Sequence, residues 1–345
     1  MNIPFFKTTI GTEEKQAISD IIDSGWIVMG KKTQEFEQKF AEYVGAKHAV
    51  FVDSGTSALF LALRGRVEIN GGSLVGVEVE TPSFTFASDP EIIVHNGAIP
   101  KFIDVNLDTF CVESGDYKSE IPRVAVHLMG NLANSPAMVY DSAHRIEKDD
   151  VTSSEVPWCY SFYATKNLST IQGGMIATND DVLDAWLRKA RDHGLSHGTL
   201  ERYTQKTTGY TIDFPGWRMK ADDIKAAIGL IQLDKLPDMT AKRNSIVERY
   251  NKNLGYKRIG NHLYPVLVSD REKFIRLMDD AGIQCSVHFQ PLHLMPAYEK
   301  YPRADLTNTE FLGSKIVSIP LFPDITNEEI DYISEQALKT NLLIK

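Results

Sequence analysis

Near the start of the chain, hydrophobic positions recur at helical spacing: Ala17, Ile18, Ile21 and Ile22, then Phe36, Phe40 and Tyr43. The pattern then shortens. His48–Val52 reads as a brief buried strand, Asp53-Ser54-Gly55-Thr56 as a polar loop, and Ser57–Arg64 as an Ala/Leu-rich helix. Apolar runs at Leu74–Val79, Ala98–Val105, Val124–Met129, Met138–Tyr140, Trp158–Phe162 and Met175–Ala177 have the length of strands, and helical stretches separate several of them. Strands alternating with helices predict an α/β fold with a largely parallel sheet covered on both faces. Ala226–Leu233, interrupted by Gln232, reads as a buried helix and falls short of the ~20 residues that span a bilayer. Beyond Pro237 the texture changes to a long polar helix (Met239–Asn253), a strand (Leu263–Val268), a helix (Arg271–Ala281), a strand (Gln284–Phe289) and helices near Thr309–Ile316 and Asn327–Leu338. A boundary near 237–245 is expected, with a large domain over 1–240 and a smaller α+β domain over 241–345.

Composition narrows the function classes. The 345 residues are 43% hydrophobic and 24% charged, ordinary for a globular protein. Lys plus Arg number 37 against 46 Asp plus Glu, a net charge of −9, and no long basic run is present. Such a chain is a poor sequence-independent binder of nucleic acid, so any anionic ligand needs a local site. Cys111, Cys159 and Cys285 are far apart and form no CxxC pair, which points away from a disulfide framework or a metal site. The segment Met1–Glu14 lacks the basic and apolar regions of a signal peptide, so a cytoplasmic location is expected, with no membrane partner.

Three places carry candidate chemistry. Ser54-Gly55-Thr56-Ser57 follows a strand and opens a helix, where unpaired N–H groups and the helix dipole favour a phosphate. The same residues also serve as an ordinary N-cap, with Thr56 or Ser57 satisfying the first turn. Asp141 ends a short strand, where open α/β sheets place ligands and where a carboxylate can pair with a cationic ring nitrogen; a turn-capping Asp is an equal reading. Lys166 follows the apolar stretch Trp158–Ala164. An apolar pocket would lower its pKa and free the amine to bond an aldehyde, whereas a strand-end Lys commonly reaches solvent. Gly25–Lys31 matches the first seven positions of a P-loop, but Lys32 stands where Ser or Thr must hold magnesium, and a helix precedes it where a strand is required. No G-x-G-x-x-G occurs.

Taken in order, the segments resemble the DegT-type (DegT/DnrJ/StrS) sugar aminotransferases over nearly the whole chain. The matching pieces include Ser24-Gly-Trp-Ile27, Ser54-Gly-Thr-Ser-Ala-Leu59, Thr81-Pro-Ser-Phe-Thr-Phe86, Asp141-Ser-Ala-His144, Tyr160-Ser-Phe-Tyr-Ala-Thr-Lys-Asn167, Gln172-Gly-Gly-Met175 and Val287-His-Phe-Gln-Pro-Leu-His293. The resemblance implies a PLP-dependent transferase of fold type I that uses pyridoxal 5'-phosphate and works as a homodimer with active sites at the interface. It implies Lys166 as the lysine that bonds the cofactor, Asp141 at the ring nitrogen, His144 near the phenolic oxygen and Phe86 against the ring face. Gly55, Thr56, Ser57 and Ser161 would hold the phosphate, and Trp26, Met29, His288 and His293 would meet the substrate.

Two departures bear on the reading. Relatives commonly carry an Asn that reaches the partner's phosphate; here the stretch is Gly216-Trp-Arg-Met-Lys220, with Arg218 in that place. Some relatives exchange the lysine for His and become dehydratases; Lys166 is retained here. The expectation is an aminotransferase moving an amino group from L-glutamate to a nucleotide-linked keto-sugar, foremost a 4-keto-6-deoxyhexose. A sugar dehydratase, an aminocyclitol aminotransferase or a non-catalytic regulatory protein are the other readings.

Overall fold

The computed structural model describes residues 1–114, 121–205 and 209–345. Its helices begin and end where local chemistry supplies partners for orphan backbone groups. In α1 (Thr12–Ser24) the Glu14 carboxylate accepts the Gly11 N–H at 2.7 Å, and Gly25, in the left-handed region, ends the helix. The start of α2 (Lys31–Val44) is capped from far along the chain: Asp223 accepts the N–H groups of Gly30 (2.7 Å), Lys32 (3.1 Å) and Thr33 (2.9 Å). The segment that imitates a P-loop thus spends its N–H groups on a carboxylate of its own chain.

The large sheet follows. β1 (His48–Val52) leads to α3 (Gly55–Glu68), β2 (Glu78–Pro82), α4 (Ser88–His95) and β3 (Ile99–Ile103). Then come β4 (Val124–Val126), β5 (Val139–Asp141), β6 (Trp158–Ser161) and β7 (Gly174–Thr178). The order is β1-β7-β6-β5-β4, and β2 and β3 form a parallel pair joined alongside β4 by the parallel bridge Glu80–Arg123. β4, β5 and β6 are parallel, while β7 runs antiparallel to both β6 and β1. The carboxyl ends of β1, β2, β5 and β6 therefore open on one edge. Successive residues of β1 serve opposite faces: Ala49 and Phe51 join the core formed by α2 and the later α7, whereas Val50 and Val52 join the core under α3 and α4. On the first face Phe36, Phe40, Phe51, Tyr160 and Phe162 meet mostly edge to face.

After α5 (Asp181–Ala190) and α6 (Thr199–Gln205) comes α7 (Asp223–Leu254). The two helices expected on either side of Pro237 are one helix of 32 residues. Pro237 removes one backbone hydrogen bond. Packing on both halves outweighs that loss: Ala226, Leu230, Leu233 and Leu236 are buried in the first core, and Ile246, Val247, Tyr250 and Leu254 in another. That other core belongs to β8 (Tyr264–Val268), α8 (Arg271–Asp280), β9 (Ile316–Ile319), α10 (Asn327–Lys339) and β10 (Leu343–Ile344), whose sheet has the order β10-β8-β9, whereas α9 (Thr307–Lys315) buries Leu312 in a further core with Phe84 and Val126.

Three expected strands need correction. Leu74–Val79 yields a strand only from Glu78, because Gly76 adopts φ 75° and turns the chain. Val124–Met129 stops at Val126, and Met129 turns at φ 59°. Gln284–Phe289 is not a strand. Ile283 and Ser286 make only single bridges, to Ile3 and Ser318, and the apolar residues face two different cores instead of one pleated face.

Candidate active site

The shared strand edge opens into a cavity of about 600 Å³. Gly55, Thr56, Phe86, Asp141, His144, Ser161, Lys166 and His288 all line it. Most of these sequence-distant residues meet here because they end or follow strands whose carboxyl ends point to the same edge, whereas His288 comes from the strandless segment after α8.

Lys166 sits on the turn after β6, where its N–H bonds the Tyr163 carbonyl at 2.9 Å. Burial lowers its pKa to about 8, against the opposing pull of Asp141 and Asp89. Asp141 is 4% exposed and accepts the Ala143 N–H at 2.7 Å, which orients the carboxylate. Burial raises its pKa, while the Ala143 N–H and the Lys166 charge favour the anion. The turn reading and the ligand reading of Asp141 therefore hold together, since one oxygen serves the turn.

At the start of α3 the N-cap is Ser54, whose Oγ accepts the Ser57 N–H at 3.1 Å and donates to the Ser57 hydroxyl at 2.9 Å. Ser57 is buried in that cap and does not line the cavity. Gly55 and Thr56 keep their N–H groups as orphan donors of the first turn, beside Ser161. A side chain at Gly55 would place its Cβ 2.8 Å from the Ser161 Cβ, and one at Gly174 would lie 2.3 Å from the Ser54 carbonyl oxygen. Both glycines thus keep an anion-sized cup open. Phe86, 60% exposed, presents a flat apolar wall.

Histidines close the opposite side. Burial holds His144 well below its usual pKa, so it is neutral, and its Nδ1 accepts the Met129 N–H at 3.3 Å. Its proton is thereby left on Nε2. His262, with its ring centroid 4.2 Å from that of His144, bonds Asn167 Oδ1 at 2.8 Å through Nδ1 and is likewise neutral by burial. His288 stacks on Phe5 at 5.4 Å, bonds the Ser318 hydroxyl at 3.1 Å and is lowered by burial to about 4.

Besides Ser57, four expected site residues lie outside this cavity. His293 is buried between the Ser83 hydroxyl (2.7 Å) and Glu310 (3.3 Å), where it fastens its loop to the segment after β2. Trp26 packs on Tyr203 at 5.3 Å, and Met29 shares its loop. Arg218 is exposed on a stretch whose neighbours Trp217 and Met219 pack inward. Conversely, Asp89, His262, Gln172 and Tyr163 were not expected at the site. Asp89 reads in sequence as an ordinary acid in a first helical turn, and His262 as a polar residue before a strand.

The groups present suit pyridoxal phosphate: an amine of lowered pKa, a carboxylate fixed by one backbone bond, a flat apolar face and an N–H-rich cup kept clear by glycine. A sequence profile of the DegT/DnrJ/EryC1/StrS aminotransferase family matches residues 8–337. The spore coat polysaccharide biosynthesis protein SpsC of Bacillus subtilis is 33% identical, over 96% of this chain and 95% of its own. Spr1654 of Streptococcus pneumoniae, assigned to the sugar aminotransferases and solved in its PMP form, superposes with a TM-score of 0.86 at 26% identity, covering 98% of this chain and 99% of that one. A DegT/DnrJ/EryC1/StrS aminotransferase from Brucella abortus gives 0.82 at 27% identity, with 95% of each chain covered. A match of this extent, over a cavity furnished in this way, makes the chain a member of the DegT/DnrJ/EryC1/StrS family of pyridoxal-phosphate-dependent aminotransferases.

Proposed function

We propose that the enzyme transfers an amino group from L-glutamate to a keto-sugar carried on a nucleoside diphosphate, foremost a 4-keto-6-deoxyhexose, to make an amino sugar for a surface glycan. The observation that carries this is the cavity of about 600 Å³ lined together by Lys166, Asp141, Phe86, Gly55, Thr56, His288 and Phe5. SpsC is named for polysaccharide biosynthesis, which supports the sugar. Retention of Lys166 favours amino transfer over dehydration.

In this reading the bound cofactor supplies an aldehyde that bonds amines and a ring that accepts electrons. Lys166 would hold it through its amine and, as the free amine, would move a proton at the reacting carbon. Asp141 would keep the ring nitrogen protonated, and the His144 Nε2–H would serve the phenolic oxygen. Phe86 would cover one ring face, and Gly55, Thr56 and Ser161 would hold the phosphate. Ser57 acts through the cap it completes, and His288 faces the substrate. Trp26, Met29 and Arg218 gain a site in a homodimer whose active sites lie at the interface. Exposed Ile27, Val28, Phe86 and Tyr163 supply apolar surface for that contact. The division near 237–245 separates the cofactor-binding part from the C-terminal unit. A cytoplasmic home fits nucleotide-sugar chemistry, and among the described residues no helix is long and apolar enough to cross a membrane.

The test is direct. Purified enzyme should be yellow, bleach on adding glutamate, and regain its colour with a nucleotide keto-sugar, with an amino sugar detected by mass. Bleaching without any product across a panel of 3-keto and 4-keto nucleotide sugars would exclude this acceptor class.

A further inference from the structure

Asp89, in the first turn of α4, is 0% exposed. Its Oδ2 accepts the Thr85 hydroxyl at 2.6 Å, whereas Oδ1 is buried with no hydrogen-bond partner. It stands within hydrogen-bonding reach of Asp141. An ionised carboxylate with a bare buried oxygen, next to a second carboxylate, carries a heavy desolvation cost and like-charge repulsion. The other groups that face it are Lys166, Cys159 of β6 and Tyr298, of which Lys166 alone is a cation, and Lys166 is shared with Asp141.

We propose that Asp89 is a positioning residue: it remains protonated and donates its O–H to Asp141, so that Asp141 is held as an anion in the orientation that meets the cofactor's ring nitrogen. The inference rests on the assignment of Asp141 to that nitrogen. With the Ala143 N–H on one side and the Asp89 O–H on the other, Asp141 is gripped by two donors. Burial first, and then the Asp141 charge, push the Asp89 pKa well up, in keeping with a neutral acid. The Thr85 bond keeps Asp89 from turning away. A dyad of this kind stores one proton beside the ring without placing a second negative charge there.

The experiment compares wild type with Asp89→Asn, Asp89→Ala and Asp141→Asn. Infrared spectra of the holoenzyme should show a buried protonated-carboxyl C=O stretch, shifted in D2O, that is missing from Asp89→Asn. Asparagine can still accept from Thr85 and donate to Asp141. It should therefore recover most of what Asp89→Ala loses, namely about tenfold or more in cofactor retention and in the rate of bleaching by glutamate, the worth of a hydrogen bond to a charged group. No protonated-carboxyl band in wild type, or equal losses in the Asn and Ala variants, would overturn the proposal. If Asp89→Ala does not fold, the band decides. Wild-type turnover by Asp141→Asn would instead remove Asp141 from the ring nitrogen; impaired Asp141→Asn with no band sinks the dyad alone.

Discussion

At the scale of single residues, the proposed chemistry turns on the protonation of Lys166, because only the free amine bonds a carbonyl. Burial takes its pKa from 10.5 to about 8. Capture of added pyridoxal phosphate by apoenzyme should therefore quicken as pH rises, reach half its maximum near pH 8 and level off above it. Stopped-flow absorbance measures this, and a midpoint near 10.5 would place the amine in solvent. Nearby histidines do not confuse the profile, since burial keeps His144 and His262 well below their usual range and His288 at about 4. The sign for stability follows from the same shift. Between about 8 and 10.5 the folded state holds fewer protons than the unfolded chain, so apoenzyme stability should climb with pH across that window and lose the climb in Lys166→Ala. That variant, like Lys166→Arg, should have no turnover, since neither can bond the aldehyde at neutral pH. Lys166 and Asp141 were singled out in the sequence because each ends or follows a strand, and both line the cavity. Asp89 and His262 were not, because their neighbours in space come from distant strands and their neighbours in sequence look ordinary.

At the scale of elements, α7 is the member that joins the two cores, and it meets α2 at Gly229. A Cβ on Gly229 would lie 2.6 Å from the Phe36 ring. Phe36 has little freedom to yield, since Phe40, Phe51 and Phe162 surround it with centroids 6.1, 5.1 and 5.6 Å away. Two effects compete in Gly229→Ala: helix propensity favours alanine by about 1 kcal/mol, and overpacking costs about 1–3 kcal/mol. The confined ring decides for overpacking. Urea unfolding should show a net loss of about 1 kcal/mol or more, and a gain would mean that Phe36 gives way. The buried carboxylate of Glu37 adds a second constraint. Burial alone would raise the Glu37 pKa, but Arg191 and Arg188 hold it below the usual range, and its Oε1 also accepts the Phe51 N–H at 2.8 Å. Its contribution is present above the unfolded carboxylate pKa and is lost as pH falls through the folded one. Glu37→Gln should therefore destabilise at neutral pH and flatten the acid limb of the stability curve. Periodicity read α2, α8 and α10 because each buries one stripe. It read Pro237 as an end because the packing that carries the helix past a proline is tertiary. It read Gln284–Phe289 as a strand because an apolar run does not reveal that its residues serve different cores.

At the scale of the whole molecule, an acidic chain must gather enough positive charge for a cofactor phosphate and for the nucleotide sugar proposed as its substrate. Inside its own cavity Lys166 is the one lysine or arginine among the lining residues. Arg218 stands outside, in a stretch tied to the phosphate loop from behind: the Asp53 N–H bonds the Met219 carbonyl at 2.9 Å, and Lys220 bridges to Val52. Trp217 and Met219 pack on the core, and Lys220 pairs with Asp192 at 2.8 Å, so Arg218 is the exposed cation of the stretch. In the proposed homodimer Arg218, exposed and outside the cavity of its own chain, is suited to a phosphate in the partner's site. Complementation tests this. Lys166→Ala and Arg218→Ala chains, each inactive alone, are mixed and allowed to exchange subunits. If Arg218 acts in trans, one of the two sites in a mixed dimer has both native residues, and activity partly returns in proportion to the mixed species. If it acts within its own chain, every site in the mixture lacks one residue and no activity returns. Full activity of Arg218→Ala alone would remove Arg218 from the site altogether, and the phosphate would then rest on the N–H cup of Gly55 and Thr56, the Ser161 hydroxyl and the dipole of α3.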